Sequence, residues 1–297
     1  MATSTSPGTD FPMEGILSGV FATMGHLLPF SFAEPAFMKR ALLGLLLVAP
    51  AAAAVGVPLV QHRMAFFSDA IGHSAFTGVA LGLILGISPH WSVAAFGAVV
   101  AVSIVLVRGR TGLSADTVTG VFFSAIVALG IMIISRERGL TRNLQAFLYG
   151  DPLAVTDSEL AWMAALLLLV AAWLALFYNR ILLLGIHEGF ARAKGVPVRS
   201  VEISFALVVA LVVTAAIRAV GILLVTALLV IPAASARNVA RSAVPGLWIS
   251  VGIALLSGVS GIVASWYLDT ATGATVVLAA ACCFALTALY RAGRPER

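Results

Sequence analysis

Apolar residues run along this chain in long blocks broken by short polar interruptions, from about residue 41 to residue 290. A helix that crosses a bilayer needs about 20 such residues. On that pattern nine spans are predicted, at about 41–60, 66–86, 92–107, 118–135, 160–178, 201–216, 220–236, 246–266 and 274–290, with a range of eight to ten. The interruptions are polar and charged: Gln61-His62-Arg63, Arg108-Gly109-Arg110, Asn179-Arg180, Arg237-Asn238 and Asp269-Thr270. The predicted fold class is therefore all-α, a polytopic transmembrane helical bundle.

Residues 14–33 are apolar enough to touch lipid but contain His26, Pro29 and several glycines. They read as an interfacial amphipathic helix within an N-terminal extension, residues 1–37. A tenth, N-terminal span is the alternative. Residues 38–292 form the membrane domain and 293–297 a short tail. Residues 1–13 lack the basic segment that a cleavable signal needs, so none is expected.

Composition agrees with the pattern. Of 297 residues 61% are hydrophobic and 10% charged, and the mean hydropathy is +1.06. So few charges cannot clothe a water-facing surface of this size, which argues against a soluble enzyme. The net charge of +5 reflects loop Lys and Arg rather than nucleic-acid binding, since no basic patch is interleaved with aromatics. Arg63, Arg108, Arg110, Arg180, Arg192, Lys194, Arg199, Arg237, Arg241, Arg291, Arg294 and Arg297 fall on one side of the predicted topology. Lys39, Arg40, Arg136, Arg138, Arg142 and Arg218 fall on the other. The first side, with twelve against six, is expected to be cytoplasmic. The three arginines at 136–142 run against that assignment. Cys282 and Cys283 lie in an apolar run and read as packing residues.

An ionisable residue inside a span is costly and suggests function. The second span holds Asp69 and His73, four residues apart and so about 40° apart on one helical face. A carboxylate and an imidazole so placed can ligate a first-row divalent metal. They can equally form a hydrogen-bonded pair that fixes packing, and spacing alone does not decide. Gly78, Gly82 and Gly86 repeat every four residues and predict close helix packing on another face.

Two further segments stand out. His187 to Pro197 reads as a short cytoplasmic helix of about 187–197. Glu188 lies early, Arg192 and Lys194 late, and Gly195 and Pro197 end it. It is either an ordinary surface loop or a docking element for a cytoplasmic partner. Ala219 to Arg237 reads as an interrupted, tightly packed helix containing Pro232. A phosphate-binding loop is missing: of the two lysines, Lys39 follows Met38 and Lys194 follows Ala193. Neither a nucleophile elbow nor a zinc-protease motif is present, so the chain is not expected to be an enzyme.

The run Arg63 to Gly82 resembles the signature of the zinc/manganese/iron ABC transporter permeases. So do Gly221 to Arg237, Glu188 to Pro197, Asp116-Thr117 with Gly120, and Tyr149 to Val155, in order over about residues 36–290. Gly72 stands where that family commonly has Ala or Ser, and Ser68 where it commonly has Gly. The resemblance implies a permease in the bacterial inner membrane that imports a divalent metal by alternating access. Zinc is favoured, with manganese or iron as alternatives, and no permanently bound cofactor is implied. The implied partners are a second copy of the chain, a separate ATP-binding subunit, an extracytoplasmic metal-binding protein and the lipid bilayer. By similarity Asp69 and His73 line the metal path. Glu188, Phe190, Ala191, Arg192 and Gly195 belong to the coupling helix, and Gly78, Gly82, Gly86 and Pro232 to helix packing. An ion-coupled secondary transporter or channel without an ATPase is the alternative; an intramembrane enzyme and an iron-chelate permease are weaker ones.

Overall fold

A computed structural model describes residues 35–136 and 155–293, apart from the side chains of Ala36, Arg218 and Ala219. The interfacial helix expected at 14–33, Arg138 and Arg142, residues 149–154 of the Tyr149 motif, and the tail beyond Gly293 lie outside the described residues. Within them every regular element is helical: α1 Ala36–Gln61, α2 Ala65–Leu85, α3 Pro89–Thr111, α4 Ala115–Arg136, α5 Asp157–Ile186, α6 Glu188–Ala193, α7 Val198–Val239, α8 Ala243–Leu268 and α9 Thr272–Ala292. Among the described residues nine stretches are long and apolar enough to cross a membrane, α7 supplying two and the six-residue α6 none.

The helices extend beyond the apolar blocks. The fifth, expected at 160–178, runs from Asp157 to Ile186 because Thr156 and Glu159 close a capping box before it and the chain stays helical past Arg180. Arg40 of α1 clamps that start through a two-pronged ion pair with Asp157, at 2.9 and 3.1 Å.

α7 is a hairpin of two halves. Its backbone breaks at Gly221, where φ is +79° and ψ is 161°, a conformation that only glycine adopts without strain. The interruption thus sits at Gly221. Pro232 lies buried inside the second half, which runs on to Val239. Both ends of α7 come to the same end of the bundle. Glu202 and Phe205 lie with His62 and Arg108 there, and Arg237 lies with Gln61 and Gly185.

α7 packs against α1, α2, α3, α5, α6, α8 and α9, and α1 packs against α5, α7 and α8. These central helices touch because their contact residues are small. α1 carries Ala51 to Ala54 and Gly56, all buried, and a Cβ at Gly56 would fall onto the Leu229 carbonyl. α8 buries Gly246, Ser250, Ala254, Ser257, Gly258 and Gly261, and the Ser250 hydroxyl donates to the Ala53 carbonyl at 3.2 Å. α4 and α9 are peripheral, and their large apolar side chains (Val121, Met132, Leu278, Leu286) point outward. Outward apolar side chains on helices that satisfy their own backbone groups are what lipid requires.

Candidate functional site

α2 is held on two sides. Gly78 and Gly82 lie against the start of α3: a Cβ at Gly78 would stand 3.0 Å from Val93 Cα, and one at Gly82 2.8 Å from Ser92 Cβ. The Ser92 hydroxyl donates to the Gly78 carbonyl at 2.5 Å. On the α4 side the buried Thr77 hydroxyl donates to the Ile126 carbonyl at 2.8 Å. Gly86 differs from the expectation for it. It ends α2 with φ +67°, and a Cβ there would meet nothing within 4 Å, so its role is the left-handed turn.

The remaining face carries Asp69 and His73. Asp69 is half-buried and His73 exposed, one turn apart and facing the same way. The Asp69 carboxyl lies beside the Thr226 side chain of α7, whose hydroxyl makes a long hydrogen bond, 3.4 Å, to the Leu223 carbonyl of its own helix. Gly72 makes that approach feasible: a Cβ there would stand 3.0 Å from Ile222 Cγ2 and 3.4 Å from Thr226 Cγ2. The His73 ring meets Phe123 of α4 edge-on, with centroids 5.1 Å apart and planes at 84°. The neighbouring hydroxyls of Ser68 and Ser74 are spent on the backbone of their own helix. Among the described residues no third His, Cys, Asp or Glu joins the pair. One chain therefore offers two donor side chains and a nearby hydroxyl. That is too few for a closed metal site and suits one that is shared or transient.

At the end of the bundle where α7 begins and ends, α6 stands between α5 and α7. His187 caps it, its Nδ1 accepting the Phe190 N–H at 3.2 Å. Glu188 and Arg192 pair along its outer face. Ala191 is fully buried, while Phe190 is 52% exposed with the Lys194 ammonium 5.6 Å from its ring centroid. The helix is shorter than expected, because the chain turns at Lys194-Gly195 and the Val196 N–H closes back onto the Ala191 carbonyl at 3.0 Å. α6 thus anchors itself by one small residue and projects an aromatic ring framed by charges.

Residues 34–291 match the profile of the ABC 3 transport family. The chain belongs to that family. It is the family that the motifs pointed to, and its span nearly coincides with the stretch they covered. The chain is similar to the high-affinity zinc uptake system membrane protein ZnuB of Haemophilus influenzae, 30% identical over 262 residues, 88% of this chain and 98% of that protein. It is also similar to the manganese transport system membrane protein MntC of Halalkalibacterium halodurans, 31% identical over 86% of this chain and 87% of that one. Among solved structures, PsaBC from Streptococcus pneumoniae in complex with Fab superposes with a TM-score of 0.75 at 27% identity, covering 91% of this chain and 95% of that chain. Like these relatives, the chain is a membrane protein; it is multi-pass, and every regular element among its described residues is helical.

Three residues of interest escaped the sequence reading. Glu202 lies five residues into α7, Arg108 pairs with it, and Thr226 faces Asp69. Glu202 had a signal: it is the last charge before a charge-free, mostly apolar run to Ile217. Thr226 had none, because its importance depends on how α7 folds back at Gly221.

Proposed function

We propose that the chain is the membrane-spanning permease subunit of an ATP-driven importer of divalent metal ions in the bacterial inner membrane. One observation carries the reading to the chemistry. In an ABC 3 family member, the charged face of one central helix presents Asp69 and His73, with Thr226 beside them and no third strong ligand among the described residues. Two copies related by an axis beside α2 would offer two carboxylates and two imidazoles to one ion. Such mixed O/N ligation suits zinc and also accommodates manganese or iron. Zinc is favoured, and the names of the relatives support both zinc and manganese.

The chain itself supplies the path, and a separate ATPase supplies the energy. α6 is the element that docks on that ATPase, through Phe190 and the Glu188–Arg192 pair. ATP binding draws the two ATPase subunits together, the α6 helices move with them, and the bundles rock about their common axis. An extracytoplasmic metal-binding protein delivers the ion to the outer opening. Weak coordination then serves release, because a tightly closed site would hold the ion. Membership of the ABC 3 family disfavours the secondary-transporter alternative, which has no use for a docking helix. Residues 38–292 form the permease domain in this reading.

The test is uptake of zinc and of manganese in cells without their own importers, expressing the chain with and without its ATPase. Wild type should import metal only with the ATPase present, and Asp69→Ala and His73→Ala should lose import at equal membrane abundance. Import that persists without the ATPase would overturn the reading in favour of a secondary carrier or channel.

A further inference from the structure

Resting on the transporter reading above, we propose that the Arg108–Glu202 ion pair is a strut that carries movement of α6 into α2, the helix of Asp69 and His73. The argument begins at the turn between α1 and α2. His62, Arg63 and Met64 make that turn, and Arg63 is held at φ +56°, in the left-handed region that side chains disfavour. Met64, only 3% exposed, is the residue that starts α2, and the Phe67 N–H closes on its carbonyl at 3.0 Å. Asp69 follows five residues later. The start of α2 is therefore rigidly tied to whatever holds Met64.

Arg108, in the last turn of α3, holds it. One guanidinium nitrogen, Nη1, stands 3.6 Å from Met64 Sδ and 3.7 Å from Glu202 Oε1. Both charged side chains are largely buried, at 28% and 20% exposure. His62, Ile181 and Phe205 close the space around them, leaving a cavity of about 10 Å3, room for at most one water. His62 reaches across to the Ile181 carbonyl of α5 at 3.1 Å. Glu202 lies in the first turns of α7, which follows α6 after only residues 194–197 and packs against it. The path thus runs from α6 through the 194–197 turn to Glu202 in the first turns of α7, then to Arg108, to Met64 and so to the base of α2. A largely buried charge pair is costly to break, because losing one partner leaves the other unpaired.

The Glu188–Arg192 pair on α6 is neutral overall, so position 202 should tolerate either sign of charge provided 108 carries the opposite one. That makes a charge exchange informative. The complete complex, this chain with its ATPase in proteoliposomes and the metal-binding protein loaded with Zn2+, is assayed for zinc uptake and ATP hydrolysis. Wild type is compared with Glu202→Gln, Arg108→Gln and the double exchange Arg108→Glu with Glu202→Arg. Each single change should lower zinc moved per ATP roughly tenfold. ATPase co-purification and hydrolysis without the metal-binding protein should stay at wild-type level, and the double exchange should recover much of the lost coupling. Two outcomes overturn the strut: wild-type zinc per ATP in both single variants, or uptake and hydrolysis falling together with membrane abundance, as a merely structural pair would give. Absence of ATP-dependent zinc and manganese uptake in the wild type overturns the transporter reading itself, and the strut with it.

Discussion

Gly72 of α2 and Thr226 of α7 lie so close that a Cβ on the glycine would stand 3.4 Å from the threonine methyl carbon. The contact seats the Thr226 hydroxyl beside the Asp69 carboxyl, on the face that also carries His73. A hydroxyl in that place, held only by a long bond to the Leu223 carbonyl, can turn to the carboxylate and can serve as an additional weak oxygen donor. Thr226→Val, which keeps the shape and removes the hydroxyl, should therefore weaken metal uptake by roughly threefold to tenfold. Thr226→Ser should stay near wild type. Gly72→Val should abolish uptake by prising α2 from α7, at a cost of about 1–3 kcal/mol in stability. Concentration-dependent zinc uptake by the three variants checks this; equal uptake for Thr226→Val and wild type would remove Thr226 from the site.

Phe190 makes a second prediction, at the other end of the mechanism. Its ring is outside the bundle, so replacing it should leave the fold intact, whereas a docked partner would lose an aromatic anchor. Phe190→Asp should lower both ATPase co-purification and metal uptake by roughly tenfold or more, with unchanged melting of the purified chain. The Glu188–Arg192 pair is exposed, so Glu188→Ala should shift stability by no more than about 0.5 kcal/mol. Normal uptake by Phe190→Asp would mean that α6 is an ordinary loop helix.

How much of this was legible beforehand follows from what each residue's role depends on. The nine spans were legible because lipid imposes one rule, a long apolar run, on every crossing segment. That Asp69 and His73 share one helical face was legible because charge inside such a run is conspicuous and the spacing is one turn. Gly86 was misplaced because a repeat of glycines every four residues says nothing about where the helix stops, and its φ of +67° belongs to the turn. The interruption near Pro232 sits at Gly221 for a similar reason, since a proline can ride in a buried helix whereas φ +79° with ψ 161° cannot continue one. Glu202 and Arg108 were visible as single charges at span ends, but their meeting is a matter of tertiary packing between α3 and α7.

The pH dependence of stability turns on His62. Burial lowers its pKa below the usual 6.5, the Ile181 carbonyl raises it in part, and the Arg108 charge lowers it again. The folded state thus holds a neutral ring with Nε2 turned to the Ile181 carbonyl, while the unfolded chain takes up a proton near pH 6.5. Stability from this group is full above pH 6.5. It is lost as pH falls from there through the folded value, at up to about 1.4 kcal/mol per pH unit. His62→Asn keeps a donor for the carbonyl and does not titrate, so its melting temperature in detergent should fall less between pH 7 and pH 5, in the range where His titrates. Parallel curves for wild type and His62→Asn would show that another group governs the acid limb.

The glycines give a ranked prediction, because each differs in what a methyl group would strike. At Gly56 it would meet the Leu229 carbonyl, a backbone atom of a central helix that cannot turn aside. Gly56→Ala must therefore separate α1 from α7 and should cost at least about 3 kcal/mol, the upper end for overpacking. Gly78→Ala meets Val93 Cα at 3.0 Å and should cost less, since α3 has to give by only a few tenths of an ångström. Gly86→Ala meets nothing and carries only the penalty of its positive φ, about 1 kcal/mol. Gly252→Ala lies in open space within α8 and should be neutral or stabilising by up to about 1 kcal/mol, since alanine is the better helix former. Thermal melts of the four variants, purified in one detergent, test the order. Gly56→Ala as stable as Gly252→Ala would mean that α1 and the second half of α7 do not touch as they do here, and the placement of Thr226 beside Asp69, which depends on α7, would fall with it.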